Sequence, residues 1–119
     1  MSVASINSSR TTAQPLGQRG TVRDIYLGSA SYTGSERGTL RFTATGASAV
    51  TPKTISLVSG TQGGIEVSDS GTTLEISGIM VDGSTAASLY KTGLGRLILS
   101  GGNTYEGVTY VESGALRAT

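Results

Sequence analysis

The sequence predicts an all-β fold, a right-handed single-stranded parallel β-helix of about four to five coils, and three observations lead to this class. Short segments of alternating apolar and polar residues follow one another from residue 20 onward, each bounded by Gly, Ser, Asn or Asp. Such boundaries are typical of strands joined by turns. Apolar pairs recur about every twenty residues, close to one turn of a three-sided solenoid. No segment keeps the 3.6-residue period of a helix over three turns.

The length predicts one small domain. A chain of 119 residues buries only about two-thirds of the surface that its unfolded form exposes, so we expect a single core. Residues 1–18 are polar and without periodicity, and we interpret them as a flexible N-terminal arm or cap. Residues 19–119 are predicted to form the β-helix. Five Tyr and one Phe are the only aromatic residues, so Leu, Ile and Val must fill the core in layers.

Nine segments read as strands. They cover residues 21–27, 38–44, 54–58, 64–68, 72–77, 78–81, 95–99, 107–111 and 114–118. Three strands of about five residues at about 3.3 Å per residue make most of one coil and leave a few residues for each corner. Gly and Asn suit these corners because they tolerate positive φ.

The spacing of apolar pairs predicts which strands stack. One predicted line runs through Ile55/Leu57, Leu74/Ile76, Leu97/Leu99 and Leu116, at intervals of 19, 23 and 19 residues. A second line is predicted through Ile65/Val67 and Thr109/Val111, with a less certain member between them. A sandwich or jelly roll is the alternative, but it has no reason to keep a twenty-residue repeat.

Residues 89–116 carry a denser pattern, reading LYKTGLGRLILSGGNTYEGVTYVESGAL. The placed residues are Leu89, Lys91, Gly93, Gly95, Leu97, Leu99, Gly101, Asn103, Tyr105, Gly107, Thr109, Val111, Gly114 and Leu116. This segment closely resembles the autotransporter-associated β-strand repeat, also called the passenger-associated transport repeat, and meets each of its placed positions. The departures are Val108, Glu112 and Arg96, and they leave the expected fold unchanged, although Glu112 and Arg96 can place charge on the outer face.

We expect structural roles for these residues. The predicted interior rungs are Leu97, Leu99, Val111 and Leu116. The glycines at 101, 107 and 114 are expected to permit the corners. Asn103 is expected to satisfy backbone groups through its side-chain amide, with Tyr105 packed over that corner.

The resemblance implies a structural and secretion module of a bacterial autotransporter passenger, a stalk that supports outer-membrane translocation and surface display. Its implied partners are the rest of its passenger and a C-terminal β-barrel translocator. Its implied location is the cell surface, with the signal peptide and the barrel outside this sequence. The alternative is a direct adhesin surface that binds host glycans, matrix or neighbouring cells, or a self-associating fibre module. End-to-end self-association of the isolated chain is expected, because a cut solenoid exposes an unpaired coil.

The residue inventory argues against an enzyme. The sequence has no His and no Cys, which removes the commonest general base, thiolate chemistry and the common zinc ligands. No catalytic, cofactor-binding or metal-binding residue is predicted, and no cofactor. The acidic residues Glu66, Asp69, Glu75 and Asp82 are expected to be solvated outward positions. A polysaccharide lyase or hydrolase would need a carboxylate and a basic group facing a groove.

Charge and hydropathy give no indication of nucleic-acid binding or of a transmembrane helix. A formal net charge of +1 gives no electrostatic reason to expect nucleic acid. No run of about 18 apolar residues is present, so we do not expect the chain to span a membrane as a helix.

Overall fold

Residues 2–3, 25–27 and 37–119 are described by the computed structural model of the chain. The predicted boundary between residues 18 and 19 lies outside them and stays a prediction. Twelve strands occur in the described residues: β1 (Ser2–Val3), β2 (Ile25–Leu27), β3 (Arg37–Phe42), β4 (Ser48–Thr51), β5 (Ile55–Leu57), β6 (Gln62–Val67), β7 (Thr73–Ile76), β8 (Met80–Asp82), β9 (Ser88–Thr92), β10 (Arg96–Leu99), β11 (Thr109–Val111) and β12 (Ala115–Ala118).

The strands form three sheets, and every strand pair within the described ranges is parallel. Sheet A has the order β1-β3-β6-β9-β11, sheet B the order β2-β5-β8, and sheet C the order β12-β10-β7-β4. Because consecutive strands belong to different sheets, the chain passes from B to A to C and then returns to B. This arrangement is that of a parallel β-helix and confirms the predicted all-β class over a sandwich. Its right-handed sense stays a prediction.

Four successive coils follow from this path. Coil 1 contains β2, β3 and β4, and coil 2 contains β5, β6 and β7. Coil 3 runs over residues 77–99 with β8, β9 and β10. Coil 4 runs over residues 100–118 and contains β11 and β12, with an irregular segment on the side of sheet B.

The register corrects the first predicted line of stacked residues. Leu97 lies directly between Leu74 and Leu116, as predicted. Ile55, however, pairs with Ile25 and Met80 in sheet B, while Ala49 is the residue below Leu74. The prediction for Ile55 and Leu57 was wrong because 19 residues carry the chain around two corners only, from sheet B to sheet C. The coils shorten along the chain, since successive partners in sheet C are 25, 23 and 19 residues apart.

The second predicted line lies in one sheet, but its pairs are shifted by two residues, since Val111 and not Thr109 lies in the column of Ile65. Ile65 pairs with Lys91, and Lys91 pairs with Val111, so a lysine is the missing member between them. Thr109 belongs instead to the neighbouring row, where it lies over Leu89. A lysine inside a column of aliphatic residues is difficult to assign to the interior from spacing alone.

The core lies between the three sheets and is continuous through coils 1 to 3. Its fully buried members are mostly aliphatic, such as Leu40, Ile65, Leu74 and Leu97, and Phe42 is also buried. Each buried aliphatic side chain of this size contributes about 1.5–3 kcal/mol relative to an exposed position. The stacked aliphatic rows therefore supply the main favourable term for folding.

The last coil is the most open part of the described chain. Leu97 and Leu99 are buried as predicted, and Leu116 is partly buried against the core. Val111 was predicted to be an interior rung, but 49% of its surface is exposed. The difference arises because no strand pairs with the outer edge of β11 within the described residues.

We predict that Leu97→Ala lowers the free energy of unfolding by about 2–5 kcal/mol, because it leaves a cavity between two rungs. Leu94 is 67% exposed two residues before the start of β10, so Leu94→Ala is a control of the same residue type. We expect it to change stability by no more than about 0.5 kcal/mol. Urea denaturation measures both values, and equal losses for the two variants would contradict the assignment of the core.

Candidate functional site

The repeat motif forms the contact surface between consecutive coils. Its apolar members and Lys91 lie in strands β9, β10, β11 and β12. Its glycines, Asn103 and Tyr105 lie at the corners and in the irregular side of coil 4. The structure thus distributes the motif over one and a half coils rather than gathering it into a pocket.

Five motif glycines allow the main chains of neighbouring coils to touch. These corner glycines are Gly93, Gly95, Gly101, Gly107 and Gly114. A Cβ atom at any of them would lie within 3.0 Å of a main-chain oxygen of the preceding coil, closer than real Cβ atoms come. For Gly107 the obstructing oxygen belongs to Ala87, and for Gly101 it belongs to Gly78. A side chain at these positions would force the coils apart.

Two corner glycines also adopt a left-handed backbone conformation. Gly93 has φ of 79° and Gly114 has φ of 69°, a region that residues with a Cβ rarely enter. Both lie at the corner between sheets A and C, one coil apart, and Gly114 approaches the carbonyl oxygens of Gly93 and Gly95. This corner has five residues in coil 2 and three in coil 3, so the glycines make the shorter turn feasible.

Lys91 stabilises the same corner from inside. Its side chain is fully buried, and its Nζ donates hydrogen bonds to the carbonyl oxygens of Thr92 at 2.6 Å, Gly93 at 3.0 Å and Ser113 at 3.3 Å. Burial lowers the pKa of Lys91, and the nearby Glu66 carboxylate opposes this shift. Because Ser113 lies in coil 4, the ammonium group connects the A–C corners of coils 3 and 4.

Asn103 continues the hydrogen bonding of sheet B where strand geometry ends. Its side-chain oxygen accepts a hydrogen bond from the Met80 amide at 2.8 Å, and the Thr104 amide donates to the Met80 carbonyl at 2.9 Å. The side-chain amide therefore satisfies a backbone group, as the sequence predicted, but the partner lies in a strand of the preceding coil instead of in the turn. Tyr105 packs partly buried against the core, and its hydroxyl lies 2.6 Å from Oγ1 of Thr109.

Two aspartates order corners, a role that sequence reasoning missed by treating them as solvated. Asp82 accepts hydrogen bonds from the amides of Ala87 in its own coil and Glu106 in the next, at 3.1 and 2.8 Å. Asp69 accepts from the amide of Gly46 at 2.9 Å, and from Gly71 and the Thr72 hydroxyl. The signal available in the sequence was an Asp ahead of Gly or Ser, which favours side-chain capping of turns.

The acidic residues are dispersed around the solenoid. Glu66 in sheet A pairs with Arg41 at 3.3 Å, and Glu75 in sheet C accepts a hydrogen bond from the Ser100 hydroxyl. Across the ranges described by the structure, no three acidic side chains come together as a metal site. The same ranges contain no helix that is long and apolar enough to cross a membrane.

These features define the protein as a β-helical repeat module in which the motif residues form the contacts between consecutive coils. Residues 89–118 match the family model of the passenger-associated transport repeat. The predicted resemblance is confirmed.

The chain is also similar to the Adhesin BmaC autotransporter of Brucella suis biovar 1 (strain 1330). The two are 41% identical over 81 residues, which is 68% of this chain. The matched region is 2% of the length of that relative. No solved structure matches the chain. The repeat and the relative together support an autotransporter passenger module.

We predict that Gly107→Ala lowers the free energy of unfolding by about 1–3 kcal/mol, because the added methyl group collides with the Ala87 carbonyl. Gly102 provides a matched control, since a Cβ there meets nothing within 4 Å. We expect Gly102→Ala to leave stability equal or to raise it by up to about 1 kcal/mol. Thermal unfolding compares them, and a harmless Gly107→Ala would disprove the close approach of the coils.

We predict that the stabilising effect of Asp69 disappears in acid. Hydrogen bonds from Gly46, Thr72 and Gly71 lower the pKa of Asp69 below the ordinary value for an aspartate. A depressed carboxyl pKa stabilises the folded state above the unfolded value and loses this effect as pH falls through the folded value. The difference in unfolding free energy between the wild type and Asp69→Asn should therefore shrink below about pH 4. A difference that stays constant from pH 7 to pH 2 would contradict this account.

Proposed function

We propose that the chain is a structural and secretion module of a bacterial autotransporter passenger, a β-helical stalk that supports outer-membrane translocation and surface display. The observation that carries this proposal is that coil 4 takes its contacts almost entirely from coil 3. Strand β11 pairs with β9, and β12 pairs with β10. Gly101, Gly107 and Gly114 add close main-chain contacts between the same two coils, and Asn103 and Lys91 add hydrogen bonds between them.

Contacts of this kind suit a chain that folds as it emerges. Each new coil needs only its predecessor as a template, so folding can advance coil by coil from local contacts. Folding outside the membrane would then oppose return of the chain. The proposed partners are the remaining passenger and its C-terminal β-barrel translocator, and the proposed location is the bacterial cell surface.

The proposed role requires no catalysis and no cofactor. The repeat residues act through packing, backbone hydrogen bonds and close main-chain contact, and the acidic residues near them serve as ion-pair or hydrogen-bond partners. We therefore propose that the chain is not an enzyme.

A direct adhesive role is the second candidate, favoured by the similarity to the Brucella relative, which is named an adhesin. Tyr90 and Tyr110 on the outer face of sheet A would be its obvious contacts with glycans. However, the Tyr90 ring stacks on Tyr110 at a centroid distance of 4.6 Å, and the Arg37 guanidinium covers it at 3.6 Å. Both faces of Tyr90 are thus occupied, which favours the stalk. Association with a second copy would instead use the open coil 4, where Val108 and Val111 are exposed.

The two candidates predict different outcomes when residues 89–118 are deleted from the passenger that contains them. The stalk proposal predicts that surface display falls severalfold, measured by antibody labelling of intact cells. It also predicts that Gly107→Ala reduces display while Gly102→Ala does not, because only the former disturbs coil stacking.

Adhesion is measured on the same cells and normalised to the amount displayed. Unchanged display of the deletion variant, together with lost adhesion, would refute the stalk and support the adhesive role. Lost display with normal adhesion per displayed molecule supports the stalk.

A further inference from the structure

An arginine of coil 1 reaches a glutamate of coil 4 on the outer face of sheet A. Nη2 of Arg37 lies 3.3 Å from Oε1 of Glu112, although 75 residues separate them in the chain. Neighbouring parallel strands are about 4.8 Å apart, so three spacings place the two residues about 14 Å apart across the strands, and the register places them a further four positions apart along the strands. Nearly all other contacts of coil 4 go to coil 3, so this one is exceptional in its reach.

The path of the Arg37 side chain is prepared by coils 2 and 3. In the register of sheet A, Thr39, Gly64, Tyr90 and Tyr110 follow one another in a single outward row. Gly64 leaves this row without a side chain in coil 2. A Cβ atom there would lie 2.6 Å from Oγ1 of Thr39 and 3.0 Å from Cδ of Arg37. The glycine therefore leaves room for the aliphatic part of Arg37 to cross coil 2.

Beyond Gly64 the Arg37 guanidinium contacts the Tyr90 ring as well as the Glu112 carboxylate. Its Cζ lies 3.6 Å from the centroid of the Tyr90 ring, within the range of a cation–π interaction. The Tyr90 ring in turn stacks on Tyr110 of coil 4 at an interplanar angle of 17°. We call these four residues, Arg37, Tyr90, Tyr110 and Glu112, the outer array.

We propose that the outer array is a conformational device that couples coil 1 directly to coil 4. In a simple solenoid each repeat contacts only its neighbours, and the ends open independently of one another. The outer array adds a contact between repeats that are not neighbours. Opening of coil 4 breaks contacts of Arg37, and opening of coil 1 removes the partner of Glu112 and Tyr90.

The exposure of these residues fits a coupling role. The Arg37 side chain is 28% exposed, less than the 51% of Arg41 in the same strand. A partly desolvated, stacked guanidinium interacts more strongly than a fully exposed ion pair. Arg41 pairs with Glu66 and Ser68, both in the adjacent coil, and so provides a matched control that does not reach coil 4.

Native-state hydrogen exchange followed by mass spectrometry tests the proposal on the whole purified chain. Arg37→Met keeps an unbranched aliphatic side chain and removes the guanidinium. We expect amide exchange in β11 and β12 to become about five- to tenfold faster, three coils away from the substitution. Arg41→Met should accelerate exchange in β3 and β6 and leave β11 and β12 at the wild-type rate.

Glu112→Gln tests the coupling from the other end and covers the case in which Arg37→Met does not fold. Coupling between two sites is reciprocal, so this variant should accelerate exchange in β3 while strands β4 and β7 change little. The proposal is overturned if Glu112→Gln leaves β3 unchanged, or if Arg37→Met and Arg41→Met affect β11 and β12 alike. Exchange in purified protein does not depend on secretion, so this test stands apart from the test of the stalk.

Discussion

The corners of successive coils touch through their main chains, and this contact fixes where the other residues of the repeat can lie. At the corner glycines the main chains of neighbouring coils are so close that an added Cβ atom would lie within 3.0 Å of a main-chain oxygen. Only at that separation can β11 pair with β9 and β12 with β10 in one continuous register. This register stacks aliphatic side chains on one another inside the solenoid and leaves polar side chains on the outside. Packing energy therefore depends on positions that have no side chain.

Close approach of the coils creates a second requirement, because backbone groups at and beside the corners that are not paired in a strand ladder need other hydrogen-bond partners. Three side chains provide such partners. Lys91 donates hydrogen bonds to carbonyl oxygens, Asn103 accepts one from a backbone amide, and Asp82 accepts hydrogen bonds from two backbone amides. Buried polar backbone is costly when unpaired, so these side chains contribute to stability although they are not part of the apolar core. The repeat thus combines three kinds of residue, each with a distinct physical task.

Much of this could be predicted from the sequence, and the failures have physical causes. The dense alternation in residues 89–116 predicted strands β10, β11 and β12, the corner glycines and a hydrogen bond between the Asn103 side chain and the backbone, but strand β9 was not among the predicted strands. Corner length was not predictable, since five or three residues fit equally well between strands, and this misplaced Ile55. Val111 alternates like an interior residue, but its burial depends on a further strand that alternation cannot reveal. The outer array was hidden because Arg37 and Glu112 meet only through a register accumulated over four coils.

Disulfide trapping tests the parallel register of the coils most directly. Because the sequence has no native cysteine, only the introduced cysteines can form a disulfide. Thr73 and Arg96 are direct partners on the outer face of sheet C, whereas Ile98 is displaced from Thr73 by two residues, or about 8 Å. Disulfides require Cα atoms less than about 7 Å apart. The account predicts that cysteines at 73 and 96 cross-link under mild oxidation and that cysteines at 73 and 98 do not. Cross-linking of the displaced pair alone would contradict the stacked parallel coils.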